Sequence, residues 1–238
     1  MIKNLSRLLL PLVVMPVMAI AAETFQEGKD YIVLSQPVKT ADANKVNVTE
    51  VFSYSCPHCY NLESYINKWS ETLPEDVKFE KIPAVTKGLW GEHARLFFTV
   101  NALKLDKKVH SDIFNAFHKE HNKLAAPEAM AKFLAKYDVK KESFEQTFNS
   151  FGVSSQMNLA AAKFRGYRLT GVPAVIVNGK YRVNAPKDKV TAVADFLIEK
   201  ERALLKEKAA PTTTAKVETK KEDDNNEANV KSSAAKED

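Results

Sequence analysis

Hydrophobic positions along this chain follow two rhythms, strand-like near both ends of the central region and helical between them. Tyr31 to Leu34 is a short apolar run that predicts a strand. From Val46 to Tyr54 the alternation is clearer: Val46, Val48, Glu50, Phe52 and Tyr54 share one parity, and Asn47, Thr49, Val51 and Ser53 the other. That strand runs into Cys56, a helix is predicted from Pro57 to about Ser70, and Val77 to Ile82 predicts another strand. From Trp90 to Phe151 the period is helical. Leu96, Val100 and Leu103 mark one face, and Ile113, Phe114 and Phe117 a shorter one. Met130, Phe133, Leu134 and Tyr137 form another, and Phe144, Phe148 and Phe151 one more. Aromatics at this spacing read as packing rather than as a cofactor box. A helix is predicted from about Ser154 to Tyr167. Ala174 to Val177 and Tyr181 to Val183 then flank Asn178-Gly179, the signal of a two-residue hairpin. A last amphipathic helix uses Val190, Val193, Leu197 and Leu204.

The two ends break from this pattern. Residues 1–21 read as a signal peptide: Lys3 and Arg7 are basic, Leu8 to Val17 is apolar, and Ala19-Ile20-Ala21 offers a small-x-small cleavage site. Pro11 and Pro16 interrupt the apolar run, which is short for a bilayer span. No cysteine stands at the cleavage site, which excludes lipid attachment there. At the other end, 208–238 has no aromatic residue and no Leu, Ile or Met, and reads as a disordered polar tail that cannot bury enough apolar surface to order itself. What lies between suffices for one substantial domain, or a domain with an insertion. The formal net charge of +5 is mild, and the lysines are scattered rather than gathered on one stripe, so no nucleic-acid partner is expected.

Chemistry concentrates at the chain's 2 cysteines, which lie three positions apart as Cys56-Pro57-His58-Cys59. At a helix start, free backbone N–H groups and the positive end of the helix dipole point at the first sulfur. Both lower the pKa of Cys56, and only the thiolate is nucleophilic. Pro57 suits the first helical position, where its missing N–H costs nothing. His58 can add a second positive charge beside the sulfur. Export would place this dithiol in an oxidising compartment. A purely structural disulfide is a weak alternative, because the entropic gain of a cross-link grows with loop length and this loop is tiny. Zinc needs about four ligands; there is no second Cys pair, and His118 and His121 lie far along the chain. No metal is expected.

Glu50 is the most unusual single residue, because it occupies the apolar parity of a strand expected to be buried. Glu63 follows Cys59 by one helical turn, and Lys81 shares the parity of Val77 and Phe79 on the next strand. On the residues alone, these three fit either a proton-handling site or a buried ion pair with no chemical task. His93, His110, His118 and His121 read as surface or helix-face residues of the helical block, and Trp69 and Trp90 as packing.

Two motifs in order, Phe52-Ser53-Tyr54-Ser55-Cys56-Pro57-His58-Cys59-Tyr60 and Gly171-Val172-Pro173-Ala174 before Val175-Ile176-Val177-Asn178-Gly179-Lys180-Tyr181, closely resemble the DsbA family of bacterial periplasmic thiol:disulfide oxidoreductases. The resemblance covers nearly all of 23–207. It implies an α/β thioredoxin fold with an inserted α-helical domain: 22–86 and 153–207 as the two parts of the thioredoxin-like domain, and 87–152 as the insertion. It implies Cys56 as the exposed, reacting sulfur with Cys59 buried behind it, and Val172-Pro173 as a cis-proline loop that faces the dithiol and binds substrate. Positions matching Glu50, Glu63 and Lys81 are implied to handle protons near the buried cysteine. The implied activity is donation of the Cys56–Cys59 disulfide to reduced, unfolded exported proteins in the periplasm, by a monomer without metal or organic cofactor. A DsbB-like, quinone-linked membrane partner would reoxidise it. The alternatives are an isomerase or reductase, and a redox-inactive periplasmic chaperone. Isomerases of this type usually carry a dimerisation domain, and the segment before the first strand is too short for one. Ser55 is polar where many relatives carry a larger group, and the tail is additional.

Overall fold

In the computed structural model, residues 24–105 and 107–209 are described. The expected signal peptide, and the expected tail apart from its first two residues, lie outside them. Five strands form one mixed sheet: β1 (Tyr31–Val33), β2 (Val46–Phe52), β3 (Val77–Pro83), β4 (Ala174–Val177) and β5 (Tyr181–Val183), in the order β1-β5-β4-β2-β3. β2 and β3 are parallel, so a crossover is required, and α1 (Pro57–Ser70) supplies it. β4 runs antiparallel to both β2 and β5, and β1 antiparallel to β5. Between β3 and β4 the chain makes α2 (Leu89–Ala102), α3 (Lys108–His118), α4 (Pro127–Leu134), a 3-10 turn (Ala135–Tyr137), α5 (Lys141–Phe148) and α6 (Phe151–Gly166). The last helix, α7, is Val190–Ala209, so helix continues to the second residue of the segment expected as a tail.

The sheet separates two apolar cores, and strand alternation feeds both. On β4, Val175 and Val177 pack with Leu62 and Ile66 of α1 and Val193 and Leu197 of α7. Ala174 and Ile176 face the other core, with Phe97 of α2, Phe114 of α3 and Phe144 of α5. β2 is covered on both faces, and every one of its residues is buried. Among the described residues no helix is long and apolar enough to cross a membrane.

Three local expectations are corrected. Phe151 does not extend the Phe144–Phe148 face: it is 88% exposed, because Ser150 caps a new helix, accepting from the Val153 N–H at 3.2 Å, and the period restarts. On α7, Leu204 is exposed, while Ile198 and Glu201 are buried in its stead; Lys180 pairs with the Glu201 carboxylate. The hairpin turn at Asn178-Gly179 has positive φ at both residues, but the ladder pairs Val177 with Tyr181, leaving Lys180 as an extra residue. Gly179 is needed there twice over. Its φ is +65°, and a Cβ would collide with the Val38 carbonyl, whose own N–H donates to the Gly179 carbonyl at 2.9 Å.

Candidate active site

The dithiol sits where β2 hands the chain to α1. Cys56 is the N-cap, extended at φ −88° and ψ 116°, and Pro57 opens the helix. The Cys59 N–H donates to Cys56 Sγ at 3.3 Å, so the sulfur occupies the place a capping oxygen would take. Both cysteines are free thiols. Hydrogen bonding from the Cys59 side chain is the largest influence on Cys56. Burial opposes it, and the backbone N–H groups of Cys59 and His58 with the His58 charge complete a drop to about 6. Burial pushes Cys59 the other way, far above the usual thiol range, helped by its bond to Cys56 and by the charges of Cys56 and Glu50. At neutral pH the pair therefore holds one thiolate and one thiol.

The second motif closes over this sulfur. The Val172–Pro173 bond is cis, and the Val172 carbonyl lies 3.5 Å from Cys56 Sγ. Cys56 is consequently only 8% exposed, less than the open sulfur expected, while Pro57 and His58 are exposed. Beside it runs a groove of about 290 Å³ lined by His58, Leu62, Pro173, Val175, Lys187 and Val190. The structure thus brings Cys56, Pro57, His58, Cys59, Val172 and Pro173 to one place.

Glu50, Glu63 and Lys81 also meet. The parallel register sets Glu50 opposite Lys81, and Lys81 Nζ lies 2.9 Å from Glu50 Oε2 and 2.7 Å from Glu63 Oε2. Glu50 is fully buried, and Oε1 has no hydrogen-bond partner among the described residues. Burial raises its pKa, Lys81 only partly offsetting this. Glu63 is buried too, but His110 and Lys81 outweigh the burial and bring it to about 2.

The histidines are not surface residues as a group. His93 is 1% exposed, with Nε2 donating to the Lys123 carbonyl at 2.8 Å. His110 is largely buried against Glu63 and Tyr54, and His118 donates from Nε2 to the Tyr54 carbonyl at 2.8 Å. Of the four histidines on the helical block only His121 is exposed, at a left-handed position. A signal was present: His110, Phe114 and His118 recur every four residues and line one stripe of α3 facing the dithiol segment. Among the described residues no cluster of three or more His, Cys, Asp or Glu is arranged to hold a metal.

Known proteins resemble this chain in sequence and fold. A family model described as a DSBA-like thioredoxin domain matches residues 91–197. The thiol:disulfide interchange protein DsbA of Pseudomonas aeruginosa is 45% identical over 193 residues, covering 79% of this chain and 92% of that protein. Its namesake in Azotobacter vinelandii is 44% identical over 180 residues, covering 74% and 84%. The crystal structure of the Pseudomonas aeruginosa DsbA superposes with a TM-score of 0.74, covering 76% of this chain and 97% of that one. DsbA from Xylella fastidiosa, at 32% identity, gives 0.71 over 75% and 98%. With a mixed sheet interrupted by helices and a Cys-x-x-Cys at the first crossover, the chain has the thioredoxin fold with an α-helical insertion, and it belongs to the DsbA family of thiol:disulfide oxidoreductases.

Proposed function

We propose that this oxidoreductase works as an oxidant in the periplasm, passing a Cys56–Cys59 disulfide to reduced, unfolded proteins newly exported there. The observation that carries the direction is the asymmetry of the pair, with Cys56 lowered to about 6 and Cys59 raised. A substrate thiolate attacks Cys56 Sγ, the Cys56–Cys59 bond breaks, and Cys59 leaves and takes up a proton. A second substrate thiolate then attacks the substrate sulfur of the mixed disulfide, and Cys56 departs as a thiolate. A low-pKa thiol leaves fast, and its stabilised thiolate favours the reduced dithiol over the disulfide, so exchange runs towards oxidised substrate.

In this reading Pro57 and His58 tune Cys56. The Val172 backbone and Pro173 hold an extended substrate segment beside the sulfur, in the manner of strand addition. Glu50, supported by Lys81 and Glu63, gives a proton to Cys59 as it leaves and takes it back when Cys59 must attack. A raised carboxyl pKa and a position that acts on Cys59 support that role. The protein acts as a monomer without cofactor, and a DsbB-like, quinone-linked membrane protein reoxidises it. We propose 22–86 with 153–207, and 87–152, as the two domains.

Equilibration with glutathione tests the direction. The couple should lie above roughly −180 mV, the potential of protein disulfide isomerase, so that only buffers rich in oxidised glutathione re-form the disulfide. A couple already oxidised in millimolar reduced glutathione would mark a reductase instead.

A further inference from the structure

The groove beside Cys56 follows one face of α1. His58, Asn61, Leu62 and Tyr65 recur at the spacing of a single helix stripe, and the first three line the groove. Tyr65 carries the stripe one turn further and is 50% exposed. Val175 of β4, Val183 of β5 and Val190 of α7 complete an apolar floor with Leu62. The loop between β5 and α7 adds one charged side chain to this lining, Lys187. Its ammonium lies 4.4 Å from the centre of the Tyr65 ring.

The charge at this end of the groove is uncompensated. Lys187 is exposed and has no carboxylate partner among the described residues. No Asp or Glu lines the groove, and neither α1 nor α7 has an acidic residue in its first turn. Asp188, next in the chain, is exposed and does not line the groove. Asp195 of α7 is engaged one turn beyond Tyr65, where it accepts from the Trp69 indole N–H at 2.8 Å. From His58 to Tyr65 the helix rises about 10 Å, at ~1.5 Å per residue. An extended chain covers that span in roughly three residues.

We propose that Lys187 is a specificity-determining residue, selecting substrate segments that carry Asp or Glu about three residues from the reacting cysteine. The proposal rests on the reading of the Val172-Pro173 loop and its groove as the seat of an extended substrate segment. A segment seated there leaves its cysteine at Cys56 and runs along the apolar floor, with alternate side chains facing the groove. Its carboxylate then meets an ammonium already placed on the Tyr65 ring, so little side-chain freedom is lost on pairing. A lysine at the same position meets like charge. The main chain has one direction on the Val172 backbone, so the effect falls on one side of the cysteine only. The apolar floor accepts any unfolded chain, and Lys187 ranks them.

The test uses the reduced full chain and short peptides whose single cysteine is activated as a 2-thiopyridine disulfide. The Cys56 thiolate attacks the peptide sulfur, forming the Cys56–peptide disulfide and releasing 2-thiopyridone, whose absorbance gives the rate. Glu or Lys is placed in turn at each position flanking the cysteine of an otherwise uncharged peptide. The ratio of Glu-peptide to Lys-peptide rates in wild type is divided by the same ratio in Lys187→Glu, which cancels every effect common to both peptides. That quotient should be roughly tenfold near the third residue on one side, fall off elsewhere, and shrink in high salt. A quotient near one at every position, in peptides that still react faster than activated N-acetylcysteine amide, overturns the role of Lys187 and leaves the groove reading in place. Flanked peptides no faster than that amide overturn the groove reading and this proposal with it. A Lys187→Glu effect confined to reoxidation by a quinone-linked membrane protein assigns the lysine to that partner and likewise overturns the proposal.

Discussion

Glu50 and Glu63 face each other across one ammonium, Lys81 Nζ lying 2.9 Å from Glu50 Oε2 and 2.7 Å from Glu63 Oε2. The same lysine serves both, yet their ionisation moves in opposite directions. Glu50 is fully buried with an orphaned oxygen, so burial wins and its pKa rises. Glu63 has Asn67 and His110 besides Lys81, so its partners win over burial and its pKa falls to about 2.

Removing the two charges should therefore have opposite effects on stability. The lowered Glu63 pKa, from 4.5 to about 2, stabilises the fold above pH 4.5, and that contribution fades as pH falls through 2. Glu63→Gln should cost roughly 3 kcal/mol at pH 7. A raised folded pKa does the reverse: ionised Glu50 weakens the fold once pH exceeds its unfolded pKa. Glu50→Gln should thus be at least as stable as wild type at pH 7, with the difference closing towards pH 4. Denaturant unfolding at the two pH values checks both. Equal losses in the two variants would contradict the assignment.

Cys56 makes the stability of the reduced protein depend on pH. Its folded pKa of about 6 lies below the reference value of 9.0, so the thiolate contribution is complete above 9 and lost as pH falls through 6. Cys59, raised by burial, stays a thiol in both folded and unfolded states below that range. Between pH 5 and 8 the reduced form should gain roughly 2 kcal/mol on the oxidised form, allowing for solvent screening at the open side of the sulfur. Paired thermal unfolding of the two redox forms reads this directly, and parallel pH curves would contradict it.

Gly179→Ala should destabilise the fold by at least about 2 kcal/mol, since it combines a left-handed backbone with a collision against the Val38 carbonyl. Gly171→Ala offers the control, because a Cβ there meets nothing within 4 Å. Comparable melting temperatures for the two variants would show that the Val38 segment yields easily.

Much of the fold was legible because alternation and turn chemistry are local. The α1 bounds and the strands β4 and β5 follow from Cys56-Pro57 capping and from the Asn178-Gly179 turn. Phe151 and Leu204 misled, because a helical period cannot show where Ser150 restarts a helix, and the buried stripe of α7 runs through Ile198 and Glu201 to Leu205 rather than to Leu204. The dithiol, the Val172-Pro173 loop and the Glu50–Lys81 pair were readable from motif and parity, and they meet in space. The spacing of His110 with Phe114 and His118 put it on one stripe of α3 but not its partner, since an imidazole there looks alike whether it faces solvent or a carboxylate. Only the tertiary contact of α3 with α1 decides that. The covering of Cys56 by the Val172 carbonyl, 116 residues away, is likewise a tertiary fact.

Thiolate absorbance of the reduced protein, titrated from pH 4 to 10, examines the asymmetry of Cys56 and Cys59 on which the oxidant reading depends. One step near pH 6 is expected, abolished in Cys56→Ser, with no second step before pH 10. A single step near 9, or two closely spaced steps shared between the sulfurs, would contradict it.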